Sequence, residues 1–136
     1  KEYRRQRQMC IRDRVNLQVG PDRDQAQGWC SMFDDALDPQ SDFARMAEVM
    51  ASLDLTLSVD TAAAHLAGAT GQTAWLLLPW NADGRWLRQR SDTPWYPSLR
   101  LWRQPAAGDW QGLVETVLEG FSRWRRSSAC RARGSA

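Results

Sequence analysis

Two short apolar runs, 55–59 (Leu-Thr-Leu-Ser-Val) and 74–78 (Ala-Trp-Leu-Leu-Leu), are rich enough in branched residues to predict buried strands. The segment between them has the other period. Asp60 and Thr61 are good N-cap residues, the alanine-rich stretch 62–69 favours helix, and Gly71 is placed to stop it. Strand, capped helix and strand in so few residues make a βαβ unit, whose strands must run parallel. The Asp60 turn then lies at the carboxyl end of a strand. Open α/β sheets bind ligands there, and a helix N-terminus offers free N–H groups to an anion.

The flanking pattern extends this unit. Phe43, Met46, Ala47, Met50 and Leu53 fall on one helical face, which predicts a helix over 42–53 with Ser41 or Asp42 as its cap. Residues 15–19 alternate apolar and polar before Gly20-Pro21 and read as an earlier strand, where the fold starts. Residues 22–40 carry weak signals for a short helix, a brief strand near Met32-Phe33 and a turn. After Pro79 a long loop, 80–97, is rich in aromatic residues, which argues against disorder and for a functional loop. A last strand is predicted over 99–102. Asp109 then caps a helix over 109–124 whose stripe is Trp110, Leu113, Val114, Val117, Leu118, Phe121 and Trp124. The fold class is α/β, a Rossmann-like parallel sheet with flanking helices.

Charge refines the boundaries. Residues 1–14 carry +4 and residues 122–136 carry +5, so the overall +2 leaves −7 on residues 15–121. An acidic body with basic ends disfavours nucleic-acid binding, which calls for basic residues on the folded surface. The reading is therefore a folded domain over 15–121 and a basic, disordered tail over 122–136. Residues 1–14 are a basic segment without amphipathic period; they resemble the translated adapter-like leader at the ends of some environmental sequence assemblies, and no function is assigned to them. Cys10, Cys30 and Cys130 lie far apart without a CxxC pair or histidine cluster, so neither a metal site nor a disulfide framework is indicated. A reducing cytoplasm fits, and no apolar run reaches the ~20 residues of a membrane span.

The motifs carry a resemblance. Val-Asp-Thr-Ala-Ala-Ala-His-Leu-Ala-Gly-Ala-Thr-Gly (59–71) resembles the donor-site motif of glycosyltransferase family 9, the heptosyltransferase-like enzymes, in which Asp-Thr-x-x-x-His-Leu follows a strand. Leu-Leu-Leu-Pro-Trp-Asn, Arg-Trp-Leu, Asp-Thr-Pro-Trp-Tyr-Pro-Ser and Arg-Gln-Pro-x-x-Gly-Asp-Trp are similar to the branch of that family fused to tetratricopeptide repeats. The resemblance covers roughly residues 15–118. It implies a GT-B glycosyltransferase of bacterial type, of which this chain would be a fragment: an incomplete C-terminal donor-binding domain. The acceptor domain, which usually supplies the general base, and the repeats would lie in the parent chain, so no catalytic residue is assigned here and the chain is not expected to be active alone. Two positions depart from the family pattern. Ala62 replaces a glycine common in heptosyltransferases, and Gly84 falls where an aromatic residue is common.

The implied chemistry needs no metal and no cofactor. A nucleoside-diphosphate leaving group gathers negative charge, and fixed donors can stabilise it. The implied donor-binding residues are Asp60, Thr61, Ala62, His65, Gln18 and Ser41, with the nucleotide-sugar as substrate. The amides at 61–63, the Thr61 hydroxyl and His65 would face phosphate; Asp60, an anion, would cap the helix or orient donors and a sugar hydroxyl. Each has a structural counter-reading. Asp60-Thr61 is equally a plain N-cap, His65 a packing residue, Gln18 a solvated turn residue, and Ser41 and Asp42 caps beside a packed Phe43. Arg85, Arg88 and Arg90 either neutralise diphosphate or form a solvated face, and the tryptophans of 80–102 either anchor the loop or stack on a base. A catalytically silent nucleotide-binding or protein-interaction module is the alternative to an enzyme fragment.

Overall fold

The computed structural model describes residues 15–18 and 42–133. The expectations for residues 1–14, for 22–40 and for Ser41 lie outside the described residues. Two compact units divide the chain, Lys1–Val49 and Met50–Ala136.

In the first unit, Val15 makes a single bridge and residues 16–18 are irregular, so the strand predicted over 15–19 is not formed over its described part. The local reason is visible. The Asn16 side chain accepts the Gln18 N–H at 3.0 Å, a side-chain turn that competes with a strand ladder. Helix α1, Phe43–Ala51, begins in this unit and ends just inside the second. Asp42 caps it: its carboxylate accepts the Arg45 N–H at 2.9 Å, and its carbonyl accepts the Met46 N–H. Met46, Val49 and Met50 form the buried face, whereas Phe43, expected to pack, is 61% exposed. A first-turn residue at the edge of the stripe is the one most easily left outside.

The second unit contains strands β1 (Thr56–Val59), β2 (Ala74–Leu78) and β3 (Leu99–Arg103), helices α2 (Ala62–Ala69) and α3 (Trp110–Arg133), and a 3-10 helix over Gly84–Trp86. The strands form a parallel sheet in the order β1-β2-β3, with Thr56 opposite Ala74 and Ala74 opposite Leu99. This matches the expected parallel arrangement, with β1 one residue shorter and β3 one longer than predicted. Helix α2 ends as its glycine demands. Gly71 adopts φ 72°, the Gln72 N–H reaches the Ala67 carbonyl at 2.9 Å and the Gly71 N–H the Gly68 carbonyl at 3.2 Å, which closes a Schellman motif.

Alternation along the strands gives the sheet two different faces. One carries Trp75, Leu77 and Trp102, and it is covered by Leu113, Val117, Phe121 and Trp124 of α3. The Trp75 and Trp102 rings lie 4.8 Å apart, and Phe121 and Trp124 meet Trp75 edge-on at 6.4 and 6.3 Å. Gly120 lets α3 come this close, because a methyl group there would overlap the Trp102 ring. Asp109 caps α3 through the Gly112 N–H at 2.9 Å, as predicted. The helix does not stop at Trp124; it continues through Arg133, so the segment expected to be a disordered tail is helical over most of its length. The opposite face carries Ala74, Leu76, Leu78, Leu99 and Leu101, all buried, and α2 lies against β1 and β2.

Candidate functional site

The turn between β1 and α2 leaves donors open. Thr61 is the N-cap, with extended backbone (φ −138°, ψ 172°), but its side chain does not cap the helix. Its hydroxyl instead lies 3.2 Å from the Ser58 Oγ and donates to the Val59 carbonyl at 3.4 Å. The Ala64 and His65 amides both turn back to the Thr61 carbonyl, and among the described residues no acceptor meets the amides of Ala62 and Ala63. Two unpaired N–H groups therefore stand at the positive end of the α2 dipole, at the carboxyl end of β1.

Asp60 does not cap α2, whose N-cap is Thr61. Its carboxylate accepts the indole N–H of Trp86 at 2.8 Å and lies 3.7 Å from the His65 Nε2. Trp86 belongs to the 3-10 helix and is fully buried. His65 stacks on its ring at 5.4 Å and places Nδ1 3.1 Å from the Tyr96 hydroxyl. Which ring nitrogen of His65 carries the proton sets whether Nδ1 donates to or accepts from the Tyr96 hydroxyl, and whether Nε2 accepts from Arg85 or donates toward Asp60. Tyr96 can lie there because residue 68 is glycine: an added methyl would sit 2.7 and 2.8 Å from the Tyr96 Cδ atoms.

The 80–98 loop is held in place by specific bonds. Asp83 accepts the Arg85 N–H at 2.9 Å and bridges the Arg85 guanidinium at 3.0 and 3.1 Å. That hydrogen-bonded guanidinium holds the Asp83 carboxyl at about 2, down from 3.8, and the carboxylate in turn raises Arg85. From β3, Arg103 donates to the carbonyls of Trp86, at 2.7 Å, and Leu87. Burial lowers the pKa of Arg103. Leu87 and Gln89 both adopt left-handed φ, 54° and 58°, which costs non-glycine residues energy and persists only where the surroundings enforce it. Gln104 ties the loop's start to the turn before α3, its Oε1 accepting the Trp80 N–H at 2.9 Å and the Gly108 N–H at 3.3 Å.

Together these elements enclose an open depression of about 290 Å³ lined by His65, Arg85, Trp86, Trp95 and Tyr96. The Arg85 Nη1 reaches to 3.5 Å from the His65 Nε2. The Trp95 ring is 63% exposed, yet its indole N–H is bonded to the Arg85 carbonyl at 2.9 Å. An imidazole, a guanidinium and an exposed indole thus line one depression, with the helix-start amides of Ala62 and Ala63 one turn before His65 on α2. Such a set can bind an anion and a flat or ring-shaped group beside it. Among the described residues no three His, Cys, Asp or Glu side chains gather as metal ligands.

Of the residues expected to bind the donor, Asp60, Thr61, Ala62 and His65 come together around the α2 N-terminus. Asp60 is bound to Trp86, and Ala62 is exposed. Gln18 belongs to the first unit, and Ser41 lies outside the described residues. Of the three loop arginines, Arg85 enters the depression. Arg90 instead pairs with Asp92 at 2.6 Å, and Arg88 is exposed. Gly84 has nothing within 4 Å of an added Cβ. Sequence reasoning did not single out Tyr96 or Asp83. The Gly68–Tyr96 contact has no local signal, whereas Asp83 before Gly84 is a turn-capping pattern that could have been read.

No family model matches the chain, and no solved structure matches it. The chain is similar to Protein FlbA of Caulobacter vibrioides (strain ATCC 19089 / CIP 103742 / CB 15), at 30% identity over 92 residues. The match takes in 65% of this chain and 15% of FlbA, so the chain spans a small part of that relative's length. Among the described residues no helix is long and apolar enough to cross a membrane.

Proposed function

We propose that the β1–α2 turn binds the diphosphate of a nucleoside-diphosphate sugar, as the donor-binding part of a family 9-like glycosyltransferase of GT-B architecture in the tetratricopeptide-fused branch. The observation that carries this reading is the uncapped helix start: Thr61 turns its hydroxyl back to β1, and among the described residues the Ala62 and Ala63 amides meet no acceptor. A pyrophosphate placed there meets two N–H groups and the helix dipole, with His65 one turn further on. Asp60 acts indirectly, by fixing Trp86 and standing beside His65, so it does not oppose the anion at the amides themselves. In the parent protein, sugar transfer to an acceptor would require a base and an acceptor domain outside this chain. The cytoplasm, where nucleotide-sugars are made, suits the reading.

Calorimetric titration of the chain with UDP, ADP and GDP tests it. The expected result is binding of at least one of them, weakened about tenfold to a hundredfold by His65→Ala, the worth of one hydrogen bond to a charged group. Melting curves of the variant control for packing. Absence of binding to all three by the wild-type chain would overturn the proposal, and unchanged affinity in a normally melting His65→Ala would return that residue to a packing role.

A further inference from the structure

The depression beside the α2 N-terminus has a wall that the diphosphate does not use. Trp95 is the most exposed large hydrophobic residue of the described chain, at 63%, and yet it is fixed. Its indole N–H is bonded to the Arg85 carbonyl, and its own amide lies 3.4 Å from the Oγ1 of the buried Thr93. An exposed, pre-oriented indole face is costly to leave in water and offers ready contact to a ligand. Arg85 beside it is also pre-oriented, locked to Asp83 by two contacts of 3.0 and 3.1 Å. The loop that carries both residues holds two non-glycine residues, Leu87 and Gln89, at left-handed φ, and Arg103 bonds the carbonyl of the first. Strain retained so close to a depression points to a function for the loop geometry.

We propose that the Arg85–Trp95 wall seats the sugar ring of the donor, an inference that rests on the diphosphate reading above. A pyranose has an apolar C–H face and a rim of hydroxyls. The indole matches the face. The guanidinium of Arg85, the His65 Nε2 and the Tyr96 hydroxyl match the rim, with the Asp60 carboxylate 3.7 Å behind His65 as an acceptor. A nucleobase is flat on both sides and gains most between two aromatic walls. Here Trp86 is fully buried and His65 and Tyr96 are half-buried, so Trp95 presents the most open aromatic face of the depression.

The test compares two classes of probe on the whole chain by calorimetry: UDP-glucose, ADP-glucose and GDP-mannose on one side, UDP, ADP and GDP on the other. Trp95→Ala should weaken the sugar nucleotide that binds by about tenfold while leaving the matching diphosphate within about twofold, and Trp95→Phe should keep most of the affinity. Equal loss for both classes would assign the wall to the base and overturn the inference, as would no loss for either. A wild-type chain that binds neither class would overturn the diphosphate reading, and this one with it. Binding of diphosphates with an indifferent Trp95→Ala would overturn this one alone.

Discussion

Both faces of the β1-β2-β3 sheet bury apolar side chains, and the α2 side adds a set of directed bonds to them. Beneath α3, Trp75, Trp102, Leu113 and Val117 make an apolar cluster, in which the buried indole N–H of Trp102 meets no acceptor among the described residues. On the side of α2, the long loop is fastened by directed bonds: Trp86 to Asp60, Tyr96 to His65, Arg103 to two carbonyls, Asp83 to Arg85. Apolar packing is non-directional and scales with area, so it stabilises the domain without defining where a ligand atom sits. Hydrogen bonds contribute less each but fix angles and distances, and a binding site depends on those. Both faces therefore contribute to stability, and the α2 face also fixes the geometry of a site.

That division can be broken most forcefully on the α3 side. Leu113 is 1% exposed and touches the Trp75–Trp102 cluster. Leu113→Ala should cost about 2–5 kcal/mol in chemical denaturation, from lost transfer energy plus the cavity left behind. Affinity of the surviving folded fraction for diphosphates should be unchanged. A loss below about 1 kcal/mol would mean that α3 contributes little to the fold, contrary to the packing of its aromatic side chains.

Gly68→Ala sharpens the comparison at an intermediate level. The new methyl overlaps the Tyr96 ring, so either the ring moves or α2 does. Overpacking of this kind costs about 1–3 kcal/mol. On the α2 side it should also be seen locally, as a changed His65 environment in NMR, because the Tyr96 hydroxyl is displaced from Nδ1. Gly120→Ala is the counterpart on the α3 side, where the added methyl meets Trp102. It should lower stability similarly and leave the His65 resonances in place. Identical His65 shifts in both variants would erase the distinction between the faces.

The same division sets what could be read from sequence. The β1–α2–β2 unit was legible because its signals are local: caps, an alanine run, a glycine stop and two apolar runs. Helix α3 was legible from its stripe, but its extent was not, since Arg-rich composition says nothing of where a solvated helix ends. The motif Arg-Gln-Pro-x-x-Gly-Asp-Trp was visible as a resemblance, and the structure gives its members physical work. Arg103 clamps the loop, Gln104 joins Trp80 to Gly108, Gly108 takes φ 81°, and Asp109 caps α3. Asp60, Thr61 and His65 were found as candidates, but their partners were not. Trp86 lies 26 positions from Asp60 and Tyr96 31 from His65; no periodicity or capping rule reaches across a loop of that length. Thr61 was expected to give its hydroxyl to the site, and only the three-dimensional path of the chain shows it spent on β1.

The smallest expected effect concerns the Asp83–Arg85 link, which orients the cationic side of the depression. Its carboxyl is held at about 2, against an ordinary 3.8, chiefly by the hydrogen-bonded guanidinium. A group whose folded pKa is lowered contributes stability that is present above its unfolded value and is lost as pH falls through the folded one. The link should therefore be intact above pH 3.8 and open as pH falls toward 2. Asp83 is solvent-exposed, so global stability should hardly register the change. The informative observable is local: the side-chain carboxyl ¹³C shift of Asp83 followed against pH, with a midpoint at about 2. Asp92, lowered in the same direction by Arg90 but placed away from the depression lining, is the internal comparison. Asp83→Asn keeps an acceptor for the Arg85 N–H and removes the charge. It should free the Arg85 side chain without unfolding the loop, because Arg103 still holds the carbonyls of Trp86 and Leu87. A midpoint near 3.8 in the wild-type chain would show instead that Asp83 and Arg85 are not paired in solution, and that the guanidinium beside His65 is not held in advance of a ligand.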